Sequence, residues 1–453
     1  MRYTFINFLI LLCFSSEFGF AQQLVSHPLS NHGIGDHQLN DHGIYSAMGN
    51  TFAPMLDSGQ LNYLNPASYA SLSKGNTLFS VGIGQRIGFF EQNGEKDIRP
   101  NGNLNHLALG FRMKKHFGMA FGLKPMSGKG YYLTEKVYTG QDSLRNTYQG
   151  SGYINQVFLG GTYAPINKKG TYVGIGINAG YNFGTVFNKR SSQLIQGTTA
   201  SGGLMEELIS VYDLNYELGL SAYQKIGSSS DLRFGLSWRP EQKLNSQLER
   251  SFYSATNLNT PSSYDTLFSN VYAGHVIQGE VLNAGVAYRI AFKAIKQKNR
   301  TLHPELTLAG QITKQAAYRY EYNGLQYDSM QSQGTFATKY GLGIEFKPEK
   351  FLYENIATLR FFDKFTYRMG AYLGTLPLFD ASNQPFNEKG ITFGLGIPVL
   401  AQQSFSSINF SCTLGQRGTA TVGSLQEKFI AFQLAAILSP ASFERWFRKR
   451  KMD

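Results

Sequence analysis

The chain has 453 residues, with 49 glycines, 14% aromatic residues, a mean hydropathy of −0.24 and a formal charge of +12. After the first residues no apolar run is long enough for a transmembrane helix, and two cysteines, Cys13 and Cys412, cannot build a disulfide framework. The Lys and Arg residues are spread over turns and alternating segments with no recognition module, which fits solvated turns and lipid headgroups and argues against nucleic acid.

Arg2, the apolar run Phe5 to Phe14 and the small residues Gly19 and Ala21 read as a secretory signal over residues 1–21. The run is too short to span a bilayer. Removing it takes away Arg2 and Glu17 together, so the charge is unchanged, and it leaves Cys412 without an internal partner. Next come His27, His32, His37 and His42 at intervals of five. That spacing fits neither helical i,i+4 ligand pairs nor a zinc finger. Asn31-His32-Gly33-Ile34-Gly35 and Asp41-His42-Gly43-Ile44 read instead as a repeated turn, so neither a metal nor a cofactor is expected.

Met48 to Leu72 has no helical or strand period, yet it is dense in small, turn-forming and aromatic residues. Asn65-Pro66-Ala67 is its centre. Pro66 fixes its own φ and pushes Asn65 into an extended conformation, and the Asn65 side chain can bond backbone groups that no ladder would satisfy. Residues 22–75 are therefore expected to form a plug, or hatch, inside whatever follows. Phe52, Met55, Leu56, Leu61, Tyr63, Leu64 and Tyr69 would be its own packing or contacts to an apolar ligand.

From Asn76 onward a period of two dominates. Val173, Ile175, Ile177, Ala179, Tyr181 and Phe183 alternate with Gly174, Gly176, Asn178, Gly180, Asn182 and Gly184. Such segments, about ten residues or longer, fit a membrane barrel with one face to lipid and one to a polar lumen. Fourteen antiparallel strands are predicted over 76–439, near 76–90, 103–113, 117–138, 146–165, 171–192, 209–227, 230–250, 276–294, 303–322, 334–348, 365–380, 385–400, 405–418 and 425–439. Short basic turns such as Lys114-Lys115 and Lys168-Lys169 belong on the periplasmic side. Arg190–Leu208 and Gln247–His275 read as long outer loops, with Leu204–Ile209 as a short amphipathic lid. Glu217, Arg289, Lys293, Glu305, Glu345 and Arg368 are predicted to face inward, paired or wet. Gly82-Ile83-Gly84 and Gly174-Ile175-Gly176 lack the third glycine of a dinucleotide loop. There is no G-x-S-x-G, H-E-x-x-H or C-x-x-C motif, so no enzyme is expected.

Beyond Leu438 the chain continues into a basic-aromatic tail over 440–453. There Phe443, Arg445, Trp446, Phe447 and Arg448 would meet headgroups or a protein partner.

Gly33-Ile34-Gly35-Asp36, Ala47-Met48-Gly49 and Asn65-Pro66-Ala67-Ser68-Tyr69-Ala70 together resemble the N-terminal hatch of the FadL/TodX-type long-chain fatty-acid transporter family, and more nearly its divergent branch in Bacteroidota outer membranes. The resemblance covers the hatch and the plan of the barrel, not a ligand-binding motif. It implies an outer-membrane barrel of 14 strands for passive uptake of small, apolar solutes. The tail and the long apolar connection Phe351 to Phe365 depart from that pattern. Similar tails occur in barrels resembling subunits of secretion or barrel-assembly machines, so a non-transporting accessory barrel with periplasmic or outer-membrane partners is the second expectation.

Overall fold

The computed structural model describes residues 28–37, 42–75, 77–138, 140, 143–195, 201–297, 300–325, 336–350, 359–379, 385–399, 406–419 and 425–439. The alternation turns into a closed antiparallel barrel of 14 strands. They are β1 (Thr77–Gln92), β2 (Glu95–Lys114), β3 (Phe117–Tyr138), β4 (Ser143–Lys168), β5 (Thr171–Leu194) and β6 (Gly202–Ile226). Three strands are broken: β7 (Ser230–Arg239 and Gln242–Ala255), β8 (Tyr264–Gln278 and Val281–Ala291) and β9 (Glu305–Ala316 and Arg319–Tyr322). The wall is completed by β10 (Phe336–Lys347), β11 (Thr366–Phe379), β12 (Pro385–Pro398), β13 (Ser407–Arg417) and β14 (Gln426–Leu438). Pairing of β1 with β14, from Phe79↔Leu438 to Glu91↔Gln426, closes the ring. Closure removes the unpaired edges that a bilayer would penalise.

The two faces differ as the period of two requires. On β5, Ile175, Ile177, Tyr181 and Phe183 are exposed outward, while Asn178 and Asn182 are buried on the inner side. Cys412 is only partly buried, between the exposed Phe410 and Leu414.

The long outer loops are a correction. Residues Arg190–Leu208 lie mostly in β5 and β6, paired from Gln193↔Gly202 onward, and the β7–β8 hairpin pairs up to Ala255↔Tyr264. Leu204–Ile209 is therefore β6 strand and not a lid, with Ile209 buried on the inner face. Here the strands outrun the lipid-facing pattern, so the alternation that marks a strand lower down is lost.

One seam is short. β2 and β3 pair only from Leu107↔Leu123 to Lys114↔Phe117, whereas β4 and β5 pair from Leu144↔Leu194 to Lys168↔Thr171. Just beyond Leu123, Pro125 has no N–H to donate, and β3 bulges between Pro125 and Ser127. Asp36 and His37 pair with Gly128 and Ser127 on that edge.

Candidate functional site: the barrel interior

Residues 42–75 lie against the inner faces of strands around the ring. Asn65 is extended at φ −127° and ψ 103°, as a residue before proline must be, and Pro66 opens a 3-10 helix over Pro66–Ser71. The Asn65 Oδ1 accepts from the Ala67 N–H at 3.1 Å. Its Nδ2 donates to the Ala53 carbonyl at 2.8 Å and to Ser221 Oγ at 3.1 Å. One side chain thus ties the helix start to an earlier turn and to β6. The wall answers with its own polar groups. Thr162 bonds the Pro66 carbonyl, Tyr172 donates to the Ala67 carbonyl at 2.6 Å, and Tyr69 donates to Asn178 at 2.8 Å. Gln311 Oε1 accepts from the N–H groups of Phe52 and Ala53 at 2.9 and 2.8 Å.

Glycine in the wall permits this approach. A Cβ at Gly176 would stand 2.3 Å from the Pro66 carbonyl oxygen, and one at Gly370 would stand 2.3 Å from the Gly49 nitrogen. Those distances are inside van der Waals contact, so the alternating glycines of the strands are seats for backbone as well as small residues.

Phe52, Met55, Leu61, Tyr63, Leu64 and Tyr69 come together in one buried cluster with Ile44, Tyr45 and Met48. Leu56 is placed apart, beside Ala70, Ala164 and Tyr172. The sequence places His42 in a turn of the plug, and the structure gives it a packing role. Its ring lies 5.1 Å from Tyr63 and 5.0 Å from His106, centroid to centroid. Nε2 donates to the Leu61 carbonyl at 3.0 Å, and Nδ1 faces the Ile44 N–H at 3.4 Å. One nitrogen donates and the other accepts, which is the pattern of neutral imidazole. Burial pulls the His42 pKa down to about 4, against the opposing bond to the Leu61 carbonyl.

The inward charges are paired. Arg289 bridges Asp231 and Glu305, and Arg368 bonds Glu345 at 2.8 Å and Asn409 at 2.9 Å. Glu217 accepts from Ser237 and faces Lys124. Lys293 is different: it lies past the end of β8 and is exposed.

A second interior region lies toward the ends of the longer strands. There Ile34 is fully buried among Ile154, Val186, Ile209, Leu248 and Tyr320. Buried Lys129 donates to the Gly33 carbonyl and to Asn188 Oδ1, the latter at 2.7 Å. The Ile34 N–H donates to the Tyr320 hydroxyl at 3.0 Å, and Asp36 pairs with Arg417 at 3.2 Å. Residues 28–37 thus cross from the β3 edge to β13. The tail residues Phe443, Arg445, Trp446, Phe447 and Arg448, and the signal over 1–21, lie outside the described residues.

A family model described as BamG matches residues 2–453. The chain belongs to the BamG family. Solved structures similar to this BamG-family barrel include a FadL homologue of Pseudomonas aeruginosa, with a TM-score of 0.56 at 10% identity over 89% of this chain and 99% of that one. The toluene transporter TodX of P. putida gives 0.51 at 13% identity, over 89% and 99%. CymD, a monoaromatic hydrocarbon channel, gives 0.50 at 11% identity, over 88% and 97%. No curated protein matches. At these identities the likeness is one of fold. The BamG-family chain has the fold of the FadL-type outer-membrane β-barrels.

Proposed function

We propose that this outer-membrane barrel serves as a closed accessory subunit of a protein-assembly complex in the outer membrane, with residues 28–75 as its plug. The observation that carries the reading is the filling of the interior. From Asn65 at one end to Ile34 at the other, the chain's own N-terminal residues line the inner face and bond several of its polar groups. An open path would have to break these bonds in a medium of low dielectric, where unpaired polar groups are costly. A barrel whose interior is largely taken up by its own chain is suited to presenting its outside and its rims to partners. The name of the family, BamG, hints at the same assembly role.

The test is mild extraction of the tagged full-length protein from its native membrane, together with depletion in cells. The proposal expects a stoichiometric assembly barrel among the copurifying proteins, and lower levels of other outer-membrane barrels on depletion. Purification of the chain alone with bound fatty acid or hydrocarbon, and unchanged barrel levels, would overturn it.

The second reading is passage of small apolar solutes, and the short β2–β3 seam favours it. Where the two strands part, the wall offers a side exit next to the apolar cluster around Ile34. Uptake of a labelled hydrocarbon by whole cells, lost on deletion of the gene, would support that reading.

A further inference from the structure

We propose that the membrane-facing side of β2 to β6 holds one anionic phospholipid of the periplasmic leaflet. A groove of about 800 Å³ runs there between Met113, Phe117, Tyr163, Ile175 and Ile177, with Gly161 as its floor. The register explains it. Met119, Gly161, Ile177 and Leu218 form one outward row across β3 to β6, and only Gly161 lacks a side chain. A Cβ there would meet nothing within 4 Å, so the dent opens outward. Phe117 and Tyr163 flank it, both exposed, with their rings 5.1 Å apart. Such a cleft suits acyl chain, which fills narrow apolar spaces between fixed aromatic walls.

The head of the ligand is indicated by charge. The groove ends at the turn Lys114-Lys115 between β2 and β3, where Lys114 lines it, and the turn Lys168-Lys169 between β4 and β5 lies next to that turn. The turns are locked side by side, because Asn167 on β4 donates to the Lys115 carbonyl at 2.7 Å and Arg112 donates to the same oxygen at 3.1 Å. All four lysines are exposed, and none forms an ion pair among the described residues. Like charges gathered at one end of an apolar cleft are complementary to a phosphate carried on acyl chains. A zwitterionic lipid would bring its own cation into that field. These turns are at the end of the barrel where β1 begins and β14 ends, the periplasmic end of an even-stranded outer-membrane barrel.

The test uses the purified full-length protein and native mass spectrometry with added phosphatidylglycerol or phosphatidylcholine. One phosphatidylglycerol should be retained at concentrations where phosphatidylcholine is not. Lys114→Gln and Lys115→Gln should each weaken that retention about fivefold. Gly161→Leu fills the floor and should abolish it while heat-modifiable migration on gels reports a folded barrel. Should that variant not fold, Phe117→Ala with Tyr163→Ala removes the walls and should have the same effect. Equal retention of the two lipids by the wild type, or undiminished retention in the folded groove variant, would overturn the proposal. So would a photo-crosslinker at Tyr163 that captures a polypeptide in cells instead of lipid.

Discussion

The two ends of the interior are filled by different physics. Near Asn65 the N-terminal residues are held by directional bonds to wall side chains, and glycine lets their backbone touch the strands. Near Ile34 they are held chiefly by burial among aliphatic and tyrosine side chains, with bonds from Lys129 and Tyr320, the Asp36–Arg417 pair and a short backbone pairing to β3. The first arrangement tolerates little displacement, because hydrogen bonds weaken steeply with angle. The second leans more on dispersion, which is not directional, so its apolar part can repack at lower cost. The region near Asn65 is therefore the fixed end and the region near Ile34 the yielding one.

The comparison is broken most completely by deleting Gly43–Ser71. The barrel should still insert, with single-channel conductance rising from near closed to a steady open level. An unchanged conductance would mean that the fixed end does not block the lumen. Ile34→Ala should cost about 2–4 kcal/mol of local stability and speed hydrogen exchange in residues 28–37, while exchange near Pro66 stays as in the wild type. Asn65→Ala removes bonds to the Ala67 N–H, the Ala53 carbonyl and Ser221, and leaves buried groups unpaired at a cost of about 2 kcal/mol. Exchange should then rise in residues 52–70 and not around Ile34. If both variants loosen both regions equally, the interior is one cooperative unit and the distinction fails.

Acid should sharpen the contrast. His42 is neutral and buried, with a pKa of about 4 against 6.5 when free. Because the folded value is depressed, its contribution to stability is complete above about pH 6.5 and is lost as the pH falls toward 4. Exchange near Tyr63 should accelerate over that window, and His42→Gln should flatten the response. The smallest effect is expected from Pro66→Ala, below about 1 kcal/mol, since it loosens the unfolded chain more than it removes contacts. A thermal shift of only a few degrees would agree with that.

The strands were legible wherever lipid imposes a single rule. Ile175, Ile177, Tyr181 and Phe183 must face the bilayer, so their alternation located β5 to within a few residues. Past that band the rule lapses. On β6, Ile209 and Val211 are buried inside while Tyr212 and Leu214 are exposed outside, so both faces carry apolar residues and the segment resembled a loop with a lid. Asn65-Pro66-Ala67 announced an irregular path because proline acts locally. The glycine seats did not announce themselves. Gly176 reads as a small lumen residue, and nothing near it or near Gly370 in sequence reveals that the carbonyl of Pro66 or the amide of Gly49 arrives from far away in the chain. The packing role of His42 was illegible for the same reason: its stacking partner His106 lies in β2.

The ring closes through its first and last strands, β1 and β14. The wall is therefore incomplete until residue 438 has been delivered, although the segment it encloses emerged before β1 began. Contacts such as that between Gly370 and Gly49 leave no clearance for threading this segment into a finished cylinder. Assembly must then proceed by wrapping. The early segment acts as a mandrel, and the strands are laid round it one hairpin at a time.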